Sequence, residues 1–353
     1  MTGCCVVLAL LASACTRRVV IPLPPDPDIE TTVFLIGDAG EPDPRQPTIS
    51  LDSMRRQAAE APQRTLIVFL GDNVYPDGIP VDSIALNWPD ARRRLAAQID
   101  AVPPGARAIF LPGNHDWAES SPHGLYAIRA QAKLIDTLAR GRDIKMLPRN
   151  GCPGPVSVDI GRLRFIGLDT QWWLHDYIVR DEHSNCVTTI GGVTSALREL
   201  VKSVPDGHVV IAAAHHPLMT GGEHGGYCGF GAPFKRVASA SQDILSGANR
   251  RMRDSLSSAF RAKPPLLYAA GHDHNLQLLA GGKDVEYLAV SGAGSSGKAA
   301  CAVYMRESYY VSQHRTGFMR VDILRNKGVL LSIYDFTSGG AHGAPFGRWL
   351  EFP

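Results

Sequence analysis

Seven oxygen and nitrogen donors lie at or beside the ends of short apolar segments of this sequence. Five such segments run directly into polar signatures: TTVFLI into GDAG, TLIVFL into GDNVY, ARAIFL into PGNHDW, HVVIAAA into HHP and PLLYAA into GHDHN. An uncompensated buried charge is costly, and metal coordination is a common compensation. Because the set contains no thiolate, it favours hard or borderline cations. The seven donors are Asp38, Asp72, Asn114, His115, His215, His272 and His274.

The apolar segments have the pattern of buried β-strands. They are short, continuous and bounded by turn residues, and segments with helix-like periodicity lie between them. In open α/β sheets, polar groups that follow strand ends gather at one edge of the sheet. We therefore expect one site built from several strands. The predicted helices are residues 49–60, 88–99, 125–140 and 193–204, and residues 294–316 are expected to form a long loop.

The composition is that of a globular protein with a substantial core. The chain has 353 residues, of which 44% are hydrophobic and 20% are charged, and its formal net charge is +2 at pH 7. This balance gives no reason to expect nucleic acid or an anionic membrane surface as an electrostatic partner. The length alone suggests two domains, but one large layered α/β domain fits equally well. Because no internal linker is visible, we expect one domain over residues 32–353.

The first fifteen residues, MTGCCVVLALLASAC, have the composition of a secretory signal peptide over residues 1–15. They are apolar, rich in small residues and too short to span a bilayer comfortably. Their end, LASAC, resembles a bacterial lipoprotein cleavage box with Cys15 as the lipidated residue; an ordinary cleaved signal peptide or a wrongly assigned start are the alternatives. The proline-rich residues 16–31 predict an extended tether. We therefore expect export to the bacterial periplasm or outer surface, with membrane contact only through a possible N-terminal lipid anchor.

Four cysteines remain beyond Cys15. An even number of cysteines in an exported chain permits two disulfide bonds in three possible pairings, and buried free thiols are the alternative. The sequence leaves open how Cys152, Cys186, Cys228 and Cys301 are paired.

Five ordered sequence blocks resemble those of the calcineurin-like metallophosphoesterases. They are GDAG (37–40), GDNVY (71–75), GNHD (113–116), VIAAAHHP (210–217) and GHDH (271–274). Within that family the sequence is most similar to the small, tartrate-resistant purple acid phosphatases, because GHDHNLQ is followed by SGAG and an EHG triplet follows nine residues after His215. The resemblance covers roughly residues 32–335. It implies an α/β fold, a four-layer αββα sandwich of two mixed β-sheets with helices outside.

Tyr75 would replace a histidine that most members of that family have elsewhere. Those members begin with Asp-x-His, whose histidine binds the first metal ion, but this chain has Gly40 at that position. The resemblance implies that Tyr75, three residues after Asp72, supplies a phenolate oxygen instead. A phenolate is anionic and hard, which favours Fe(III) and implies a coloured protein. The alternative is a half-buried tyrosine that only packs.

The resemblance implies two metal sites that share one carboxylate. Asn114 is neutral and keeps the second site less anionic, which suits Fe(II), Zn(II) or Mn(II), whereas the first site suits Fe(III). His115 and His224 match the outer histidines of the family, which orient phosphate and act as general acids. The first site would consist of Asp38, Asp72, Tyr75 and His274, and the second of Asp72, Asn114, His215 and His272.

The implied activity is hydrolysis of small phosphate monoesters, of the acid phosphatase type, with a metal-bound hydroxide as the nucleophile. Two alternatives stay open. One is a phosphodiesterase or nucleotidase on the same metal ions, because the motifs do not separate these activities. The other is a redox-active iron protein at the cell surface. The oligomeric state is also left open.

Overall fold

Two seven-stranded β-sheets lie at the centre of the fold. The computed structural model describes residues 24–41, 49–175, 186–187, 189–228, 240–295, 299–337 and 339–352. Within these residues the strands are β1 (Ile29–Ile36), β2 (Thr65–Phe69), β3 (Arg107–Phe110), β4 (Ile144–Met146), β5 (Val156–Ile160), β6 (Leu163–Gly167), β7 (Val209–Ala213), β8 (Leu267–Ala270), β9 (Leu276–Ala280), β10 (Tyr287–Ser291), β11 (Ser308–Ser312), β12 (Thr316–Leu324), β13 (Val329–Phe336) and β14 (Phe346–Trp349). The helices are α1 (Ile49–Ala58), α2 (Trp88–Asp100), α3 (Gly124–Ala139), α4 (Gln171–Leu174), α5 (Ile190–Lys202) and α6 (Gly247–Phe260).

Both sheets are mixed. The first has the strand order β14-β13-β12-β1-β2-β3-β4, and the second has the order β11-β9-β10-β8-β7-β6-β5. The run β1 to β4 is parallel, whereas β12 pairs antiparallel with both β1 and β13. In the second sheet β6, β7, β8 and β10 are parallel, and β5 and β9 are antiparallel to their neighbours. This architecture confirms the predicted fold class.

Three apolar clusters divide the molecule into four layers. One cluster lies between the sheets and includes Val33 and Leu35 of β1, and a second lies between the first sheet and helices α1 to α3 and includes Phe34 and Ile36. The third packs α5 and α6 against the second sheet. Successive residues of a strand face opposite sides of the sheet. Because both sides are buried here, the strands are continuous apolar runs rather than alternating ones.

Helices α1, α2, α3 and α5 coincide with the four predicted helices within a few residues at either end. Helix α6 is absent from that prediction, although Met252, Leu256 and Phe260 recur at helical spacing and are buried. The arginines and serines between these residues lower the hydrophobicity of the segment, so that its helical periodicity is difficult to recognise. The prediction of a loop throughout residues 294–316 is wrong, since β11 pairs with β9 as an edge strand, with Tyr310 opposite Leu278.

The chain enters the first sheet at Ile29, inside the segment that the sequence predicts as a tether. Just before it, Asp26–Asp28 form a short 3-10 turn, and Asp26 forms an ion pair with Arg64. The predicted signal peptide and Cys15 lie outside the described residues. Among the helices that the structure describes, none is both long and apolar enough to cross a lipid bilayer.

Two disulfide bonds connect the four cysteines whose pairing the sequence leaves open. Cys152 pairs with Cys186, with Cα atoms 5.6 Å apart, and Cys228 pairs with Cys301, with Cα atoms 6.2 Å apart. The sequence separation is 34 residues in the first pair and 73 in the second. Because a longer closed loop restricts the unfolded chain more, the Cys228–Cys301 bond has the larger expected contribution to stability.

We expect the double substitution Cys228→Ser and Cys301→Ser to lower the free energy of unfolding by about 2–4 kcal/mol. The matched double substitution of Cys152 and Cys186 by serine should cost less, since that loop is shorter. Denaturant unfolding of the three proteins gives both values. Peptide mapping without reduction is the control, and crossed pairs or four free thiols would contradict the assignment.

Candidate metal centre

The polar strand ends of both sheets meet at one edge of the sandwich. Three neighbouring parallel strands of the first sheet and two of the second each end in a turn that carries donor side chains. These side chains are Asp38 after β1, Asp72 after β2, Asn114 after β3, His215 after β7, and His272 with His274 after β8.

A backbone N–H from a neighbouring loop fixes each of the two carboxylates. His272 N donates to Asp38 Oδ2 at 2.9 Å, and His115 N donates to Asp72 Oδ1 at 3.0 Å. Asp38 and Asp72 both have left-handed backbone torsions, with φ of 57° and 52°. Such torsions are uncommon outside glycine and recur at functional sites. One oxygen of each carboxylate is thus fixed by a backbone hydrogen bond, and the other oxygen faces the centre of the cluster.

The phenol of Tyr75 contacts both free carboxylate oxygens. Its oxygen lies 2.9 Å from Asp38 Oδ1, 3.0 Å from Asp72 Oδ2 and 3.1 Å from His274 Nε2. A phenol carries one hydrogen and can donate to only one of these neighbours. The oxygen therefore takes part in a polar cluster of four side chains, and a tyrosine that only packs does not account for this arrangement.

A second group of donors shares Asp72 with the first. His215 Nε2 lies 3.4 Å from Asp72 Oδ2, 3.0 Å from Asn114 Oδ1 and 3.3 Å from His272 Nδ1. On the other side of the ring, His215 Nδ1 lies 2.8 Å from the carbonyl oxygen of Leu70. Because a carbonyl can only accept, Nδ1 carries the ring hydrogen, and Nε2 is the nitrogen available to a cation.

The electrostatics of the cluster fit a cation. Burial acts to lower the pKa of His215, but the Asp72 carboxylate outweighs burial and raises it to about 9, so that a proton is attracted to the position where a cation would bind. Burial and the carboxylates of Asp38 and Asp72 raise the pKa of Tyr75 well above its usual value. Among the described residues, the buried Nε2 of His272 has no hydrogen-bond partner. Asp38, Asp72 and His215 each offer a ligand atom, all within 4.8 Å of one another.

Gly40 occupies the position at which most of the resembled family has a histidine. A Cβ atom there would collide with the backbone of Asp72 and Asn73. The collision arises because the GDNVY loop lies against this glycine: Gly40 N donates to Asp72 O at 3.2 Å, and Tyr75 N donates to Gly40 O at 3.4 Å. A histidine would force this loop away, whereas the same loop brings Tyr75 into the cluster.

His115 and His224 lie beside different donor groups. The His115 ring packs on that of Tyr75, with centroids 4.4 Å apart, and its Nδ1 lies 2.5 Å from Pro76 O. The His224 ring stacks on that of His272, with centroids 3.8 Å apart. Their side chains are 19% and 27% exposed, respectively. Both histidines can therefore meet a molecule that enters from solvent.

His216 directly follows one of the predicted donors. Ring nitrogens of His215, His216 and His272 lie within 4.8 Å of one another. However, Nδ1 of His216 lies 2.8 Å from Thr170 Oγ1, and its Nε2 lies 2.7 Å from Gln242 Oε1. Uncharged side chains contact both ring nitrogens of His216. We therefore interpret His216 as a packing residue of the site rather than as a metal ligand.

The predicted site leaves out some buried carboxylates beside the cluster, among them Asp116 and Asp243. Asp116 accepts from Asn73 N at 3.0 Å, which ties the loop after β3 to the loop after β2, and burial raises its pKa to about 7. Asp243 Oδ1 lies 2.8 Å from His224 Nδ1. Asp116 belongs to the GNHD block and could have been noticed there. Asp243 lies in no motif, and only folding brings it to the site.

Comparison with solved structures gives fold neighbours of low sequence identity. GAP50, the anchor in the inner membrane complex of Plasmodium, matches with a TM-score of 0.57 at 14% identity, covering 92% of this chain and 90% of that chain. The calcineurin-like phosphoesterase YfkN from Bacillus subtilis matches with a TM-score of 0.38 at 10% identity, covering 92% of this chain and 91% of that chain. At 14% identity the likeness to GAP50 concerns the fold alone.

The family of the chain follows from its sequence. A comparison with curated proteins gave no significant match. The model of the calcineurin-like phosphoesterase family matches residues 31–276. This span runs from β1 to the first residue of β9 and contains all five sequence blocks and every donor of the cluster. The chain therefore belongs to the calcineurin-like phosphoesterase family.

Proposed function

We propose that this chain hydrolyses phosphate monoesters at a two-metal centre, as an acid phosphatase of the purple type. Members of its family are generally metal-dependent phosphoester hydrolases. The main support for an enzyme of the purple type is the position of Tyr75, whose oxygen lies within 3.1 Å of Asp38, Asp72 and His274. A buried phenol placed between carboxylates suits a phenolate ligand to a highly charged ion.

The difference in charge between the two donor groups supports a mixed pair of ions. The first group offers two carboxylates and a phenol, whereas the second shares one carboxylate and adds a neutral amide and two imidazoles. A trivalent ion, Fe(III), is best compensated by the first group, and Fe(II), Zn(II) or Mn(II) by the second. The first ion would be held by Asp38, Asp72, Tyr75 and His274, and the second by Asp72, Asn114, His215 and His272.

Two cations bound here would supply Lewis acidity, which neutralises charge on the phosphoryl oxygens and acidifies a water molecule. The chain itself supplies the placement. The backbone contacts of Asp38, Asp72 and His215 set the positions of these donors before any substrate arrives. Such preorganised polar groups need not rearrange during the reaction, and this contributes to the stabilisation of the transition state.

His115 and His224 are the groups proposed to orient the phosphate and to protonate the leaving oxygen. An alkoxide leaves poorly without a proton, and a positioned histidine is the commonest donor. Both side chains are partly exposed, and each packs on a member of the metal cluster: His115 on Tyr75 and His224 on His272. Their location at the rim supports this role.

Export is part of the proposal. Disulfide bonds persist mainly in oxidising compartments, and the Cys152–Cys186 and Cys228–Cys301 bonds support a location in the periplasm or at the outer surface. A lipid at Cys15 would anchor the chain there. Cell fractionation is the test, and a chain that stays with cytoplasmic markers would contradict export.

Asp72→Asn is expected to release at least one metal ion and to slow monoester turnover by more than the roughly 10–100-fold that loss of an outer partner of a metal ligand costs. The reason is that both donor groups lose their shared anionic oxygen. Elemental analysis and initial rates measure the two effects. Asp206→Asn is the matched control, because Asp206 is fully exposed and pairs only weakly with Lys263, at 3.3 Å. Two retained metal ions with a near-normal rate would show that Asp72 is not shared.

The same assays test the substrate class. We expect phosphate monoesters to be the fastest substrates and acidic pH to be optimal, because a trivalent ion acidifies water strongly. Diesters and nucleotides run side by side separate this activity from a phosphodiesterase or nucleotidase. Faster turnover of a diester would exclude the proposed monoesterase.

Tyr75→Phe keeps the ring and deletes only the oxygen, so that a residue that merely packs should tolerate it at a cost below about 1.5 kcal/mol. If the oxygen binds Fe(III), the visible absorption band should vanish, and the first site should lose its preference for a trivalent ion. The pH optimum should then move upward. Visible spectra and pH–rate profiles are the measurements. Tyr310→Phe, at a buried tyrosine whose hydroxyl donates to Asp335, is the control and should keep the colour. Colour that survives in Tyr75→Phe would refute the ligand assignment.

A further inference from the structure

The imidazole of His224 is held in place from several directions. Its backbone N donates to Asp273 Oδ1 at 3.0 Å, and its carbonyl oxygen accepts from Ile244 N at 3.0 Å. The ring stacks on His272 with an interplanar angle of 28°. Its Nδ1 lies 2.8 Å from Asp243 Oδ1. A side chain at the rim of a cleft rarely needs this much support for packing alone.

Asp243 is itself fixed by its own turn. Its side chain is buried, with 3% of the residue exposed. Ala240 N donates to Asp243 Oδ2 at 3.1 Å, and Asp243 N donates back to Ala240 O at 2.9 Å. Directly after this turn, Ser246 caps the N-terminus of α6. These hydrogen bonds restrict the position of the Asp243 carboxylate. The orientation of the His224 ring is therefore set by the carboxylate, and not the reverse.

The contact decides which ring nitrogen meets the substrate. An ionised carboxylate only accepts hydrogen bonds, so His224 Nδ1 carries a hydrogen and points at Asp243. The other nitrogen, Nε2, lies on the opposite side of the ring, and in the doubly protonated ring it carries the hydrogen that can pass to the leaving oxygen. A comparable Asp–His contact fixes the tautomer and orientation of the histidine in serine proteases.

We infer that Asp243 is a positioning residue for the hydrolysis: it holds His224 with Nε2 directed toward the phosphate ester and its leaving oxygen. This inference rests on the proposed function, because it assigns Asp243 a task only through the task of His224. In this assignment Asp243 acts on the reaction through the ring of His224, whose Nδ1 it contacts.

Asp243→Asn tests the contact with little change of size. In the variant, Ala240 N still needs an acceptor and would take the amide oxygen, which turns the NH2 group toward His224. An NH2 group cannot accept from Nδ1–H, so the ring must move its hydrogen to Nε2 or rotate away. Either change alters how Nε2 meets the substrate. We expect kcat to fall about 10–100-fold, the range in which loss of an outer partner of a metal ligand falls, with metal content unchanged.

A double-mutant cycle separates positioning from a general structural role. If Asp243 acts through His224, Asp243→Asn should cause no further loss in a chain that already carries His224→Ala. If the turn merely supports the fold, the two losses should multiply. Asp254→Asn, at an exposed aspartate of α6, is the control and should retain the wild-type rate.

Nitrogen-15 NMR of the histidines in the zinc-loaded full chain gives a readout that does not depend on turnover. At a pH where the ring is neutral, His224 should carry its hydrogen on Nδ1 in the wild type and on Nε2 in Asp243→Asn. A wild-type ring with its hydrogen on Nε2, or losses that multiply in the cycle, would overturn the inference and leave the phosphatase proposal intact. A wild-type chain inactive on every monoester would instead overturn the proposed function, and the inference with it.

Discussion

Two buried carboxylates, Asp38 and Asp72, lie within 3.0 Å of one phenol oxygen, and the rest of the site is arranged around this concentration of negative charge. Like charges placed this close in a dry environment are unfavourable unless something compensates them. One oxygen of each carboxylate accepts a backbone N–H, which leaves the other oxygen at the centre. The carboxylates therefore still need positive charge to compensate them, and the surrounding histidine nitrogens are oriented to help bind a cation.

The two sheets meet this demand together. The first sheet brings Asp38 and Asp72 from neighbouring parallel strands, and the second brings His215 and His272. The bond from His272 N to Asp38 joins the two sheets at the site itself. Asp38, Asp72 and His272 all have left-handed torsions, each of which costs on the order of 1–3 kcal/mol and persists only where the surroundings enforce it. The three buried apolar clusters fix the positions of the strand ends, and the strand ends in turn enforce these left-handed turns.

The buried strands of this protein, and the donor side chains that follow them, were predictable from its sequence. Buried parallel strands are continuous apolar runs whose C-terminal ends meet at one edge of a sheet, so the grouping of Asp38 with Asp72 could be predicted from the pattern. That His215 joins them from the second sheet was implied by the family resemblance. Tyr75 could be singled out because it lies in the same loop as Asp72. The reason for Gly40 needed the structure, because only the packing of one loop on another shows that a side chain there would collide. The disulfide pairing and Asp243 depend on contacts between distant segments, which no local pattern records.

The central claim is that two metal ions share Asp72. Anomalous X-ray diffraction from crystals of the purified protein, recorded at the absorption edges of iron, zinc and manganese, tests it most directly. We expect two anomalous peaks about 3.5–4 Å apart, each marking a metal ion bound to Asp72. The iron signal should come from the ion that also contacts Tyr75. A single peak, or a second peak that does not contact Asp72, would contradict the claim.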